Sequence, residues 1–385
     1  MTGGLMQLVA TTPDQILPSD SEFTSIIGPK FGADNQMGYV NETISQQLTE
    51  IDNKGNFEYN FLIVGDGISL IKLVVTVPTS VLTNPYLIFD SIEYWNNSYW
   101  SNALFEFSGL SIMLFEKIYN KKLVFVSKQG NNSIITYLFD IQKVFGGILD
   151  MIALGYHDSF KLKIKINENY INKITDKKLK VEFLYYDTNL RKQRCQFISL
   201  HPNNSTINIK LKEILTSSID KFDVDKNIFS YKILGNMPTL GLGIFIDGIN
   251  VNDIYVTLSL NGHDTLDSSY DDLIISGQNT FSKFAGVFEK TFGYIPFCTN
   301  LNDEDSVPLN LDRIDAVTIK FQKNDPTTVI RKIYFMFITD NVLELKYAYF
   351  KKPKNYKVDI KEFDGNDIES EEKLKDAPTN EVVYI

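Results

Sequence analysis

Apolar and polar residues alternate with a period of two over much of this chain. In Lys161-Leu162-Lys163-Ile164-Lys165-Ile166 every lysine falls on one face and every aliphatic residue on the other. That is the pattern of an antiparallel strand buried on one side. Thr206–Leu211, Ile254–Leu260 and Ile314–Phe321 read the same way. Leu70–Val77, Leu179–Tyr186 and Val329–Ile338 are more continuously apolar, which predicts strands buried on both faces. Turn formers stand beside these runs at Gly65-Asp66-Gly67, Gly130-Asn131-Asn132-Ser133, Pro202-Asn203-Asn204-Ser205 and Asn261-Gly262-His263-Asp264. Helical spacing is scarce. Only Leu104–Tyr119, with Leu110, Met113, Leu114 and Ile118 three or four apart, predicts a short helix. The 27 Phe and 20 Tyr favour pleated surfaces. Many short strands punctuated by turns predict an all-β sandwich or barrel, not alternating βαβ units.

The polar, basic stretch Tyr186–Ser199 separates two strand-rich halves of about 190 and 160 residues, each a suitable size for one sandwich. The expected organisation is an N-terminal segment 1–22, sandwiches at 23–190 and 191–350, and a charged tail 351–385. No short-period repeat occurs, which argues against a propeller or solenoid. The tail opens with Lys351-Lys352-Pro353-Lys354 and turns acidic from Asp359, so it reads as an exposed appendage. It holds much of the net charge of −10, leaving a body closer to neutral, as suits surfaces that pack against copies of themselves. An acidic chain lacks the clustered cations that nucleic acid requires, so no nucleic-acid partner is expected. No apolar run approaches the roughly 18–20 residues of a membrane span, and Met1–Ala10 has no basic flank of a secretory signal.

Local chemistry is sparse. Gly65-Asp66-Gly67 and Gly241-Leu242-Gly243 lack the third glycine and the Lys-Ser/Thr of a phosphate loop and read as turns or bulges. Asp220, Asp223 and Asp225 have neither the turn glycine nor the closing Glu of a calcium loop. His157, His201 and His263 are isolated, and Cys195 and Cys298 lie about a hundred residues apart, which fits a reducing compartment. No G-x-S-x-G elbow occurs. The reading is therefore no enzyme: no catalytic, cofactor-binding or metal-binding residues, and no cofactor. Two alternatives stay open. A hydrolase would need two carboxylates about 5–10 Å apart in a cleft. A carbohydrate-binding face would need exposed aromatics, with Trp95, Tyr99 and Trp100 as candidates against the commoner buried cluster. Arg191, Lys192 and Arg194 read as a solvated linker. Glycosylation sequons stand at Asn41, Asn96, Asn131, Asn203 and Asn204.

Several segments in order resemble the major capsid protein family of large nucleocytoplasmic DNA viruses. Met1-Thr2-Gly3-Gly4-Leu5-Met6-Gln7-Leu8-Val9-Ala10 is similar to that family's M-x-G-G-L-x-Q-L-V-A start. Asp150–Asp158, with Ile152-Ala153-Leu154-Gly155-Tyr156-His157, resembles its L-I-A-L-Q-Y-H-E segment. Phe183–Thr188 with Arg191 to Arg194 and Phe197 resembles its linker, and Leu258–Asp264 its L-x-L-N-G-x-D turn. Asn310–Thr318 resembles its N-F-S-R-I-D-N-V-T strand, and Asn341-Val342-Leu343 its last strand. The chain departs from the family after Ala10, where Thr11–Asp20 replaces its Y-G-A-Q-D continuation, and at Asp305–Leu309, where its P-S-G motif is missing. The resemblance implies two tandem antiparallel eight-stranded jelly rolls with few short helices, in a diverged paralogue. It also implies a structural virion protein whose homotrimer is a pseudo-hexagonal capsomer of an icosahedral shell, assembled in the host cytoplasm. Neighbouring capsomers and minor capsid proteins would be its partners, with the internal viral membrane as a further candidate contact. A minor capsid component and a transient assembly scaffold of the same fold are the alternatives; a double jelly-roll glycan or amide hydrolase ranks below both.

Overall fold

A computed structural model of the chain describes residues 40–52, 54–61, 67–82, 84–96, 103, 105–119, 122–140, 152–153, 160–174, 178–187, 207–220, 222, 226–281, 292–298, 301, 308–346, 349–351 and 356–363. Strands dominate. The first ten are β1 (Val40–Thr49), β2 (Asn56–Phe61), β3 (Gly67–Pro78), β4 (Phe89–Asn96), β5 (Phe105–Phe107), β6 (Val124–Gln129), β7 (Asn132–Asp140), β8 (Ile152–Ala153), β9 (Phe160–Ile166) and β10 (Lys178–Asp187). Helix α1 (Gly109–Tyr119) lies between β5 and β6, and α2 (Glu168–Ile171) follows β9. Then come β11 (Ile207–Ile219), β12 (Ile228–Gly235), β13 (Pro238–Ile249), β14 (Ile254–Leu260), β15 (His263–Ser269), helix α3 (Tyr270–Thr280), β16 (Phe292–Pro296), β17 (Leu309–Asn310), β18 (Val317–Lys323), β19 (Val329–Lys346), β20 (Tyr349–Lys351) and β21 (Val358–Glu362).

The sheet order repeats. One pair of sheets runs β1-β10-β3-β7-β6 and β2-β9-β4-β5; the other runs β11-β19-β13-β16 and β15-β14-β18-β12-β21. Set aside β6 and β8 from the first set and β17, β20 and β21 from the second, and eight strands remain in each. Counted in chain order, both sets pair first-eighth-third-sixth and second-seventh-fourth-fifth. That is the order of a jelly roll, present twice, and in both copies a helix separates the fifth strand from the sixth. The repeat absent from the sequence is thus present in the topology.

By compactness the chain forms two units, Met1–Ile214 with Asp340–Asn355, and Leu215–Thr339 with Tyr356–Ile385. This differs from the expected boundary at 190/191. The strands of the first roll end at Asp187 and those of the second begin at Ile207, but β11 and β19 are long strands that run through the division. The tail expected at 351–385 is also corrected in part. Residues 358–362 form β21, with Ile360 opposite Ile233 and Val358 opposite Gly235. Two apolar residues spaced by two were enough to seat a strand on the open edge of β12, with Tyr356, Val358 and Ile360 packed on the core.

Burial follows the pleat. In β3, Ile71, Leu73, Val75 and Val77 are fully buried while Lys72, Val74 and Thr76 are half-exposed. The expected burial on both faces therefore does not hold for β3. It holds for β19 only from Phe335 to Thr339, and β13, which the sequence pattern did not single out, is buried on both faces from Thr239 to Ile246. The second face of β13 is built from Gly241 and Gly243. A Cβ on Gly241 would stand 2.1 Å from the Tyr294 hydroxyl, and one on Gly243 2.7 Å from the Phe292 ring. The missing side chains let the β16 aromatics lie flat across the neighbouring strand.

The helix expected over Leu104–Tyr119 is shorter. Phe105–Phe107 pairs with β4, and the helix starts only at Gly109. Ser108 caps it, its Oγ accepting from the Ser111 amide at 3.0 Å while Ser111 Oγ accepts from the Ser108 amide at 2.8 Å. A Cβ at Gly109 would lie 2.1 Å from the Tyr86 carbonyl, so this corner requires glycine.

Candidate assembly surfaces

In the first unit, the connections after the first, third, fifth and seventh strands of the roll gather at one end. The Asn167 amide donates to the Ile88 carbonyl at 2.9 Å, and the Ile166 amide to the Gly55 carbonyl at 2.9 Å. Asn167 Nδ2 donates to Asp90 at 2.8 Å. The buried carboxylate of Glu116, on α1, binds this end together. It accepts from the Tyr86 hydroxyl at 2.5 Å and from the Leu123 and Val124 amides at 2.5 and 2.7 Å. Burial raises its pKa above the usual carboxylate value, and the three hydrogen bonds hold that rise back. The Tyr137 hydroxyl, fully buried, donates to the Pro85 carbonyl of the same end.

The second unit is tied at the corresponding end by different residues. Asn250 Nδ2 donates to Thr327 Oγ1 at 3.1 Å, and Thr328 Oγ1 to the Asn250 carbonyl at 2.9 Å. These join the connection after the third strand to the one after the seventh. Tyr270 opens α3, and its hydroxyl accepts from the Ile246 amide at 3.1 Å and donates to the Ile244 carbonyl at 3.0 Å. Ile228, Ile249, Tyr255, Ile275 and Val329 expose apolar surface around this end. Ile249 and Val329 are register partners at the tips of β13 and β19.

The outward face of β2-β9-β4-β5 is charged. The lysines of β9 lie between rows from β2 and β4: Lys163 faces Glu58 on one side and Glu93 on the other. Lys161 Nζ is 2.8 Å from Glu58. The Lys163 ammonium stands 4.1 Å from the Trp95 ring centroid, and Trp95 Nε1 donates to Glu93 at 2.8 Å. Trp95 is thus a half-buried partner of its own sheet, covered by a lysine and not offered as an open stacking platform. Tyr99 and Trp100 lie outside the described residues.

Of the other residues singled out from sequence, His263 and Asp220 are exposed, at the β14–β15 turn and after β11. Asn131 is exposed in the turn between β6 and β7, Asn41 lies on β1 and Asn96 ends β4. His157, His201, Asp223, Asp225, Cys195, Asn203, Asn204, Arg191, Lys192 and Arg194 lie outside the described residues. Among the described residues no group of three His, Cys, Asp or Glu side chains is placed to hold a metal ion. Sequence reasoning missed the buried Glu116 and the Tyr270 bridge, because their partners are backbone groups that no motif marks.

No family model matches the chain, and no curated protein does. Solved structures do. The capsid of the virus PBCV-1, a quasi-atomic model, superposes with a TM-score of 0.60 at 11% identity, over 82% of this chain and 97% of that one. The crystal structure of PBCV-1 VP54, fitted into a reconstruction of the virophage Sputnik, gives 0.59 at 13% identity over the same shares. With the eight-strand order found twice, the fold of this chain is the double jelly roll of viral major capsid proteins.

Proposed function

We propose that the chain is a structural virion protein, non-enzymatic, whose three copies form a pseudo-hexagonal capsomer of an icosahedral large DNA virus shell. The observation that carries this reading is the duplicated jelly roll. Two rolls per chain give six per trimer, and six similar sandwiches approximate a hexagon that tiles a shell. The fold shared with the PBCV-1 capsid protein supports it. Its energy would come from burial between rolls of neighbouring copies. Its partners would be further capsomers and minor capsid proteins, its place the virion, and its assembly site the host cytoplasm. The decisive measurement is the mass of the purified full chain in solution. A trimer is expected; a monomer that persists at high concentration overturns the reading.

A transient scaffold of the same fold is the second reading, favoured by the low loops at one end of the second roll. The connection after its third strand is a single turn of residues 250–253, and the one after its seventh spans only 324–328. Purified mature virions separate the two, since a scaffold is absent from them and a capsid component, major or minor, is present.

A further inference from the structure

We propose that the free edge of β6 receives the segment Glu381–Ile385 of a second copy as an added strand. The proposal rests on the assembly reading above and names the contact that would link copies. β6 is the last strand in the order β1-β10-β3-β7-β6, and among the described residues no strand pairs with its other side. The Leu138 amide donates to the Leu123 carbonyl at 2.7 Å. Hydrogen-bonded pairs therefore recur at Phe125, Ser127 and Gln129, so the N–H and C=O groups of Val126 and Lys128 point off the edge. The Val124 amide points the same way and is held by Glu116 at 2.7 Å. Glu116 thereby fixes where the open edge begins.

This edge is open on its faces as well. Every residue of β6 after Val124 is exposed. Phe125 and Val126, adjacent and so on opposite faces, are 43% and 45% exposed. Sheets normally protect such a strand or use it for strand addition.

The occupant follows from charge and pattern. Between Glu116 and Asp140 the chain carries Lys117, Lys121, Lys122 and Lys128 and no acidic residue. From Asp364 to Glu381 it carries seven acidic residues against two lysines, and then reads Val382-Val383-Tyr384-Ile385. That ending is β-branched and aromatic, the composition of a strand. The acidic run would be drawn to the lysines of the β6–β7 hairpin, and the apolar end matches Phe125 and Val126. The seventeen residues 364–380 reach up to roughly 55 Å when extended, enough to cross to a neighbouring copy. The same region already adds one strand, β21, to another open edge, that of β12.

Cross-linking tests this in the full chain carrying Cys195→Ser and Cys298→Ser. One preparation bears Val126→Cys, another Val383→Cys, and the two are mixed under oxidised glutathione. A disulfide joining two copies in the mixture is expected. A disulfide formed within one doubly substituted copy at high dilution would overturn the proposal in favour of docking within the chain, and no disulfide in either would overturn it outright. A labelled peptide of residues 376–385 gives a second readout on full chain carrying Val383→Asp. It should bind saturably, and Val126→Asp should weaken it about tenfold or more. Lys128→Glu should weaken it and reduce its salt dependence. Both sites are exposed, so an unchanged unfolding midpoint checks the fold. A wild-type trimer with no cross-link and no peptide binding removes this inference and leaves the capsomer reading standing. A wild-type dimer or open chain of copies, not a trimer, that forms the cross-link and binds the peptide does the reverse.

Discussion

Two buried tyrosines of the second unit should respond to the same substitution with opposite signs. Tyr270 and Tyr294 are both fully buried, and both pack where α3 meets β16. Burial raises the pKa of both hydroxyls well above the ordinary tyrosine value, so both are neutral at any working pH. They differ in what the hydroxyl meets. Tyr270 Oη accepts from the Ile246 amide and donates to the Ile244 carbonyl, completing β13 where the β16 ladder has only reached Phe245. Tyr294 Oη has no hydrogen-bond partner among the described residues and is aimed over Gly241.

Tyr270→Phe keeps the ring against Gly293, where a Cβ would come within 2.9 Å of it, and deletes only the bridge. It strands one buried N–H and one buried C=O, at about 1–3 kcal/mol each. The expected loss is about 2–6 kcal/mol, or several degrees and more in the unfolding midpoint of a unit this size. Tyr294→Phe removes a hydroxyl whose desolvation nothing offsets, so it should be neutral or stabilise by about 1 kcal/mol. Urea titration of each full-length variant reads the global effect. Hydrogen exchange at the Ile246 amide reads the local one and should accelerate in Tyr270→Phe alone. If both variants lose the same stability, or if Ile246 keeps its protection without the Tyr270 hydroxyl, the reasoning from hydrogen-bond satisfaction is wrong.

Three further outcomes follow from the same geometry. Glu116→Gln keeps an acceptor for the Leu123 and Val124 amides and offers Tyr86 a donor, so at neutral pH it should match or exceed wild type. Glu116→Ala should lose about 2–5 kcal/mol by stranding those amides. Because the folded pKa lies above the unfolded value of 4.5, the Glu116 contribution is full at acid pH and is lost as pH rises through the raised value; that slope, measured by denaturation across pH, should vanish in Glu116→Gln. Gly241→Ala drives a methyl group into the Tyr294 hydroxyl and should lower stability by about 1–3 kcal/mol, seen in the same urea titrations. Ile360→Asp should release β21 from β12, read as faster tryptic cleavage around Lys351–Lys354 with the rest of the second unit intact.

Much of the fold was legible because a half-buried sheet writes its pleat directly into sequence. The alternation in Lys161–Ile166 and Ile254–Leu260 located β9 and β14, and Asn261-Gly262 marked the turn from β14 to β15, with Asn261 and Gly262 at φ of 51° and 79°. What failed did so for identifiable reasons. The apolar run of β3 looked buried on both sides because Val74 and Thr76 are β-branched whether they face the core or not. The doubly buried β13 was overlooked because its second face is glycine covered by Phe292 and Tyr294 from fifty residues away. The last strand was taken for an appendage because Val358 and Ile360 sit among charges that solvate its outer side.

The assembly surfaces were the least legible part, and the cause is general. A sheet edge exposes backbone, which is the same in every sequence, so only what is lacking around it marks it as unfinished. At β12 the chain supplies the missing strand itself and the edge is closed by β21. At β6 no strand among the described residues does so, although Phe125 and Val126 flank an open ladder on both faces. Two edges of similar kind, one filled by the C-terminal region and one open, make a second use of that region the simplest way to complete the sheet. The capsomer proposed above would need such contacts between copies, each weak enough singly to let a lattice correct its errors. A short strand of four or five residues, held by a few backbone bonds and screened lysine–carboxylate attraction, is a contact of that strength.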